Sequence, residues 1–130
     1  MNYNKSIWAI CILASTSPMA LVKAADNIDQ LREESVVLIR SGEVEQGLKQ
    51  LRNLLAQQPK NQKLIADYIV SAYAHQKLTA SDLSCLQSIN VQNFPEYAWL
   101  SVVKGQRDLK QFVAAAKWAD IYYQQSQQQQ

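Results

Sequence analysis

The apolar positions of this chain fall into register when it is cut at Ile28, Gln62 and Glu96, which are evenly spaced. The fourth position of each stretch reads Leu31, Ile65 and Trp99, and the seventeenth reads Val44, Leu78 and Phe112. The twentieth is small each time, Gly47, Ser81 and Ala115, as a close crossing between two helices requires. The twenty-fourth and twenty-eighth read Leu51, Cys85, Ala119 and Leu55, Ile89, Tyr123. Steps of three and four of this kind mark helical faces, and a fixed period of about 34 residues marks stacked helical hairpins. The pattern predicts helices over residues 28–41, 43–57, 62–76, 80–89, 95–106 and 109–125, paired into repeats 28–61, 62–95 and 96–125.

Punctuation agrees with those pairs. In the first, Leu31, Ser35 and Leu38 share a face, Gly42 permits a tight turn, and Val44, Leu48, Leu51 and Leu55 form the second stripe. Pro59 ends it for want of an N–H, and Asn61 is placed to cap the next helix. Thr79 or Ser81 is placed to cap the fourth helix, and Pro95 suits the first position of the fifth.

Composition supports an all-α reading: the 130 residues include only three Gly and three Pro, which starves turns and sheets. The start of the chain reads as a secretory leader over residues 1–24, with Lys5, the apolar run Ile7 to Ala14, and cleavage after Ala24 in Val22-Lys23-Ala24. The run is too short to span a bilayer. The residues before Cys11 do not suit lipidation, so Cys85 is the one cysteine of the mature chain and is expected inside. Loss of Lys5 and Lys23 takes Lys+Arg from 13 to 11, level with the 11 acids, and removes any case for nucleic acid as a partner. A repeat domain over 25–125 is then followed by a disordered Gln-rich tail, 126–130.

Candidate chemistry is sparse. One His75 and one Cys85 make no metal site, and both read as structural residues. Glu33, Glu34, Glu43 and Glu45 lie on or next to solvated helix surface, without a partner base. With no Gly-rich loop or nucleophile motif, neither catalysis nor a cofactor is expected. The sequence reads as a binder.

Leu31, Ser35, Leu38, Gly42, Val44, Gly47, Leu51 and Pro59 resemble the tetratricopeptide repeat signature; Ile69 and Val103 replace a small residue, and Asn93 and Gln127 replace the proline. The resemblance implies an α-solenoid of three hairpins with a partner groove on the first helices. Arg32, Val36, Arg40, Lys63, Tyr73, Tyr97, Lys104 and Arg107 are the groove candidates it implies, with Ile39 and Ala66 at further groove positions. A basic groove with two tyrosines suits a carboxylate-bearing peptide or a sugar stacked on a ring. On this reading Arg32→Glu with Arg40→Glu weakens binding and leaves folding intact.

The order of features also resembles the start of outer-membrane export porins for poly-β-1,6-N-acetylglucosamine, through the leader ending at Ala24, Arg40-Ser41-Gly42, Ile65-Ala66-Asp67-Tyr68 and Arg107-Asp108-Leu109. That resemblance implies a periplasmic module at the outer membrane that docks a protein partner, such as the polysaccharide deacetylase, or the polymer itself. Membrane association would come only through a barrel that this chain lacks. The competing reading is a free-standing periplasmic scaffold for envelope assembly. Either way the last helix carries Phe112, Trp118, Ile121, Tyr122 and Tyr123, and one flank of that set is expected to lack a cover.

Overall fold

Three left-handed residues set the geometry of the chain. Gly42 (φ +103°), Gln76 (φ +58°) and Lys110 (φ +62°) stand at equal intervals, each just past a helix end. At all three the backbone closes the same way. The N–H groups of Gly42, Gln76 and Lys110 donate to the carbonyls of Ile39, Tyr73 and Arg107, and those of Glu43, Lys77 and Gln111 donate to Leu38, Ala72 and Gln106. This is the paired bonding of a Schellman cap, which satisfies helix-end carbonyls that otherwise lack donors.

The computed structural model describes residues 18–129, with side chains from Asn27 onward. The expected leader lies, up to residue 17, outside the described residues. Six α-helices follow: α1 (Pro18–Arg40), α2 (Val44–Gln57), α3 (Gln62–Ala74), α4 (Ala80–Leu83), α5 (Trp99–Asp108) and α6 (Phe112–Gln128). Three 3-10 turns, Ser84–Ser88, Val91–Asn93 and Glu96–Ala98, join α4 to α5. No strand occurs among the described residues, so the architecture is all-α. The chain divides after Leu31 into two units. The first contains the early part of α1, and the second runs from Arg32 through α6.

Within the second unit, Gly47 makes the tightest crossing. A Cβ there would lie 2.4 Å from Ile39 Cγ1 and 2.7 Å from the Ser35 carbonyl oxygen, so glycine lets α2 reach the end of α1. Its N–H bonds to Glu43 O at 3.0 Å, as that of Ala115 does to Gln111 O at 3.0 Å. Asn61 caps α3 as expected, accepting from Leu64 N at 3.2 Å. α3 is the central helix, with Leu64 through Ile69 all buried. It packs between α2 on one side and α5 with the Glu96–Ala98 turn on the other.

The core continues through Ile65, Ile69, Leu83, Leu86, Phe94, Trp99, Val102 and Trp118. Its aromatic end is close-packed: Trp99 and Trp118 ring centres lie 4.8 Å apart, and Phe94 meets Trp118 edge-on at 5.2 Å. Trp99 Nε1 donates to Phe94 O at 3.2 Å, so its buried indole N–H is paired. On the last helix Trp118 is thus buried and Ile121 half-buried, while Phe112, Tyr122 and Tyr123 stay exposed.

The second hairpin departs most. The helix expected over 80–89 is α-helical only to Leu83 and then tightens to a 3-10 turn. Thr79 starts it with a reciprocal capping box to Asp82. Ser84 Oγ and Ser88 Oγ then donate to the Ser81 and Cys85 carbonyls three residues back, and Cys85 Sγ to that of Asp82, a competition that disfavours continued α-helix. Ser81, placed by its column in a helix crossing, is exposed. α5 begins at Trp99, because Glu96–Ala98 forms a 3-10 turn after Pro95. α6 runs through Gln128, so residues 126–128, expected in a disordered tail, are helical; glutamine is a good helix former.

Candidate functional site

Four of the groove candidates come together. Arg32, Val36 and Arg40 recur at helical spacing on α1 and face a cleft of about 460 Å³ whose far wall is Tyr97, with Glu33, Val37 and Asp67 completing it. Asp67 is the residue that sequence reasoning missed. It stands within the buried run of α3, 8% exposed, and each carboxylate oxygen takes one donor. Arg32 Nη1 approaches Oδ2 at 2.5 Å and the Tyr97 hydroxyl approaches Oδ1 at 2.5 Å. A lone acid in the otherwise apolar stretch Leu64–Ile69 was the available signal, because a carboxylate is buried only when its charge is answered.

This arrangement changes the electrostatics. Arg32 is ion-paired to Asp67, and its Nη2 lies 3.5 Å from Glu33. The cleft therefore holds two bases and two acids, and its basic character is confined to the exposed Arg40. The expectation that Arg32→Glu leaves folding intact is corrected as well. That substitution would set a second carboxylate against Asp67 where both side chains are nearly buried, at 13% and 10% exposure, and breaking such a pair costs about 3 kcal/mol.

Tyr97 presents a fixed ring. Its hydroxyl is tied to Asp67 while the residue as a whole is 59% exposed. Desolvation, then the adjacent carboxylate, push its phenol well above the ordinary range. Val37, 62% exposed, lines the same cleft, so the accessible surface is apolar and aromatic, with Arg40 and the exposed Glu33 as its charged groups.

The other candidates line a second cleft or none. Tyr73 donates its hydroxyl to Asp108 Oδ2 at 3.1 Å, and Arg107 holds Asp108 Oδ1 through Nε and Nη2 at 2.9 and 2.7 Å. Arg107 lowers the Asp108 pKa, with smaller help from Tyr73 and from Lys104 one turn earlier. Tyr73 and Asp108 line a cleft of about 470 Å³ floored by Leu78, Gly105 and Leu109. Gly105 is open to Leu78 Cδ2, which a Cβ would meet at 2.5 Å. Lys63 is exposed at the start of α3 and lines neither cleft. Ile39 and Ala66, at groove positions by register, are buried at 6% and 0%.

Asp67 and Asp108, the acids of the two clefts, are each held by donors, and Cys85 lies elsewhere with its thiol pushed up by burial. Among the described residues no group of three His, Cys, Asp or Glu side chains could hold a metal ion, and no helix is long and apolar enough to cross a membrane. No protein-family model, no curated protein and no solved structure matches the chain.

Proposed function

We propose that this chain is a periplasmic interaction module, an α-solenoid of three tetratricopeptide-type hairpins that docks an extended segment of a protein partner in the cleft of Val36, Val37, Arg40 and Tyr97. The observation that carries the reading is the convergence on one cleft of Arg32, Val36, Arg40 and Tyr97, four of the groove candidates that the tetratricopeptide resemblance implies. The three identical caps at equal intervals support the solenoid. An apolar-aromatic surface beside one cation suits a peptide side chain followed by an acidic group. It suits a sugar less, because both oxygens of Asp67 already have donors and leave few polar groups to read hydroxyls. In context, the leader-like start and the porin resemblance support a position at the front of a polysaccharide export porin, with the deacetylase as the natural partner.

The test is co-purification from the bacterial envelope with Val37→Asp combined with Tyr97→Ala, both at exposed positions. The proposal predicts native helicity by circular dichroism and loss of the co-purifying protein. Undiminished recovery of the same partner would remove the cleft from the account.

A further inference from the structure

The cleft of Val36, Val37 and Tyr97 carries an acid towards one end and a base towards the other. Glu33 and Arg40 both line it from α1, two turns apart. They are therefore offset by about 10.5 Å along the helix axis, at nearly the same angle around it. Val36 and Val37 stand between them, and Tyr97 lines the cleft from outside α1. The other two charged groups, Arg32 and Asp67, answer each other at 2.5 Å, whereas Arg32 only approaches Glu33, at 3.5 Å. Glu33 and Arg40, both exposed, are thus the charges presented to an occupant. We infer that this cleft takes a polyproline-type segment in which a base and an acid flank two prolines or other apolar residues, the base against Glu33 and the acid against Arg40. The inference rests on the docking reading proposed above for the same cleft.

Three features select that occupant. Opposite charges at the two ends of the cleft call for complementary charges at the two ends of the ligand. Their offset selects the backbone. A polyproline II helix returns to the same edge every third residue, after about 9 Å, close to the spacing of Glu33 and Arg40. On one face of a β-strand, side chains recur after about 7 Å and again after about 13 Å, short of that spacing and beyond it. Finally, the Tyr97 ring is fixed through its hydroxyl bond to Asp67 and yet exposed, and a held aromatic face beside apolar side chains is the surface on which proline rings pack.

The probe is an acetylated, amidated peptide Gly-Lys-Pro-Pro-Glu-Gly, titrated into the full chain and followed by NMR at the Val36 and Val37 methyls and the Tyr97 ring. Saturable shifts at these three residues are expected. Replacing both prolines by glycine, or moving the charges one residue closer, should weaken binding about fivefold. Glu33→Lys should weaken it about tenfold, with recovery when the peptide carries Glu at both ends. Arg40→Glu should do the same, with recovery when the peptide carries Lys at both ends. No shifts at about 1 mM peptide, or binding indifferent to both charge reversals, overturns the inference. So does tighter binding of a helical peptide with the same charges two turns apart, or sedimentation showing a dimer that Arg40→Glu dissolves. If the co-purifying partner is lost with Val37→Asp and Tyr97→Ala while the peptide shows no charge dependence, the docking reading survives and this inference fails. Undiminished recovery of the partner together with no peptide shifts removes both.

Discussion

The first and second hairpins start from the same cap and end differently. Past Gly42 the chain enters a 14-residue helix held against α1 at Gly47; past Gln76 it enters four residues of α-helix, and the equivalent Ser81 looks into solvent. Turn geometry and the regularity of the following helix are thus separate properties. The first is set by a left-handed residue and two hydrogen bonds, the second by whether small and apolar side chains give the next helix something to pack on. The second hairpin compensates through its first helix, because α3 is buried along its length and Asp67 ties it to both Arg32 and Tyr97.

The largest test of that contrast exchanges the small residues. Gly47→Leu has no space beside Ser35 O and Ile39, so it should cost about 3 kcal/mol or more, while Ser81→Leu should stay within about 0.5 kcal/mol; denaturant melts of the two variants compare them directly. Equal losses would mean that the second crossing is as tight as the first.

Asp67→Ala comes next. It removes the nearly buried carboxylate that Arg32 and the Tyr97 hydroxyl share, for an expected loss of about 3 kcal/mol measured by the same melts. A loss below that of a surface pair, about 0.5 kcal/mol, would show that α3 needs no tie.

Smaller effects lie in the caps. Gln76 and Lys110 hold a backbone conformation that costs a side chain about 1 kcal/mol, so Gln76→Gly should raise stability by up to that amount, offset by greater freedom of the unfolded chain. Gly42→Ala should lower it. Thermal melts that order these variants the other way would separate the three turns.

The least effect is alkaline. Folding raises the Tyr97 pKa, so the stabilisation from its protonated hydroxyl is complete below about pH 10 and is lost as pH rises above it. Tyr97→Phe should flatten that decline, and spectrophotometric titration of the phenols should show one late-ionising group fewer. An unchanged alkaline profile would detach Tyr97 from Asp67.

Periodicity made much of this legible. The apolar pattern pointed to an all-α chain, Asn61 and Thr79 marked helix starts, and Arg32, Val36, Arg40 and Tyr97, which the tetratricopeptide resemblance implied, line one cleft. Two things were hidden for physical reasons. Local bonding by Ser84, Cys85 and Ser88 overrode an apolar pattern that suited a helix, since propensity and side-chain competition act at short range. Asp67 entered the sequence reading only within Ile65-Ala66-Asp67-Tyr68, without a structural role, because its partners lie 35 and 30 residues away in sequence, and such pairings are visible only in the fold. The burial of Trp118 likewise depended on Phe94, which belongs to an irregular link.

The repeat itself is open to direct measurement: backbone φ at Gln76 and Lys110 by NMR couplings and chemical shifts, with hydrogen exchange at Lys77 and Gln111. Positive φ at both residues, as at Gly42, and protected amides at both following residues are predicted. Negative φ at either one, with a freely exchanging amide after it, would contradict three equivalent caps and the solenoid proposed from them.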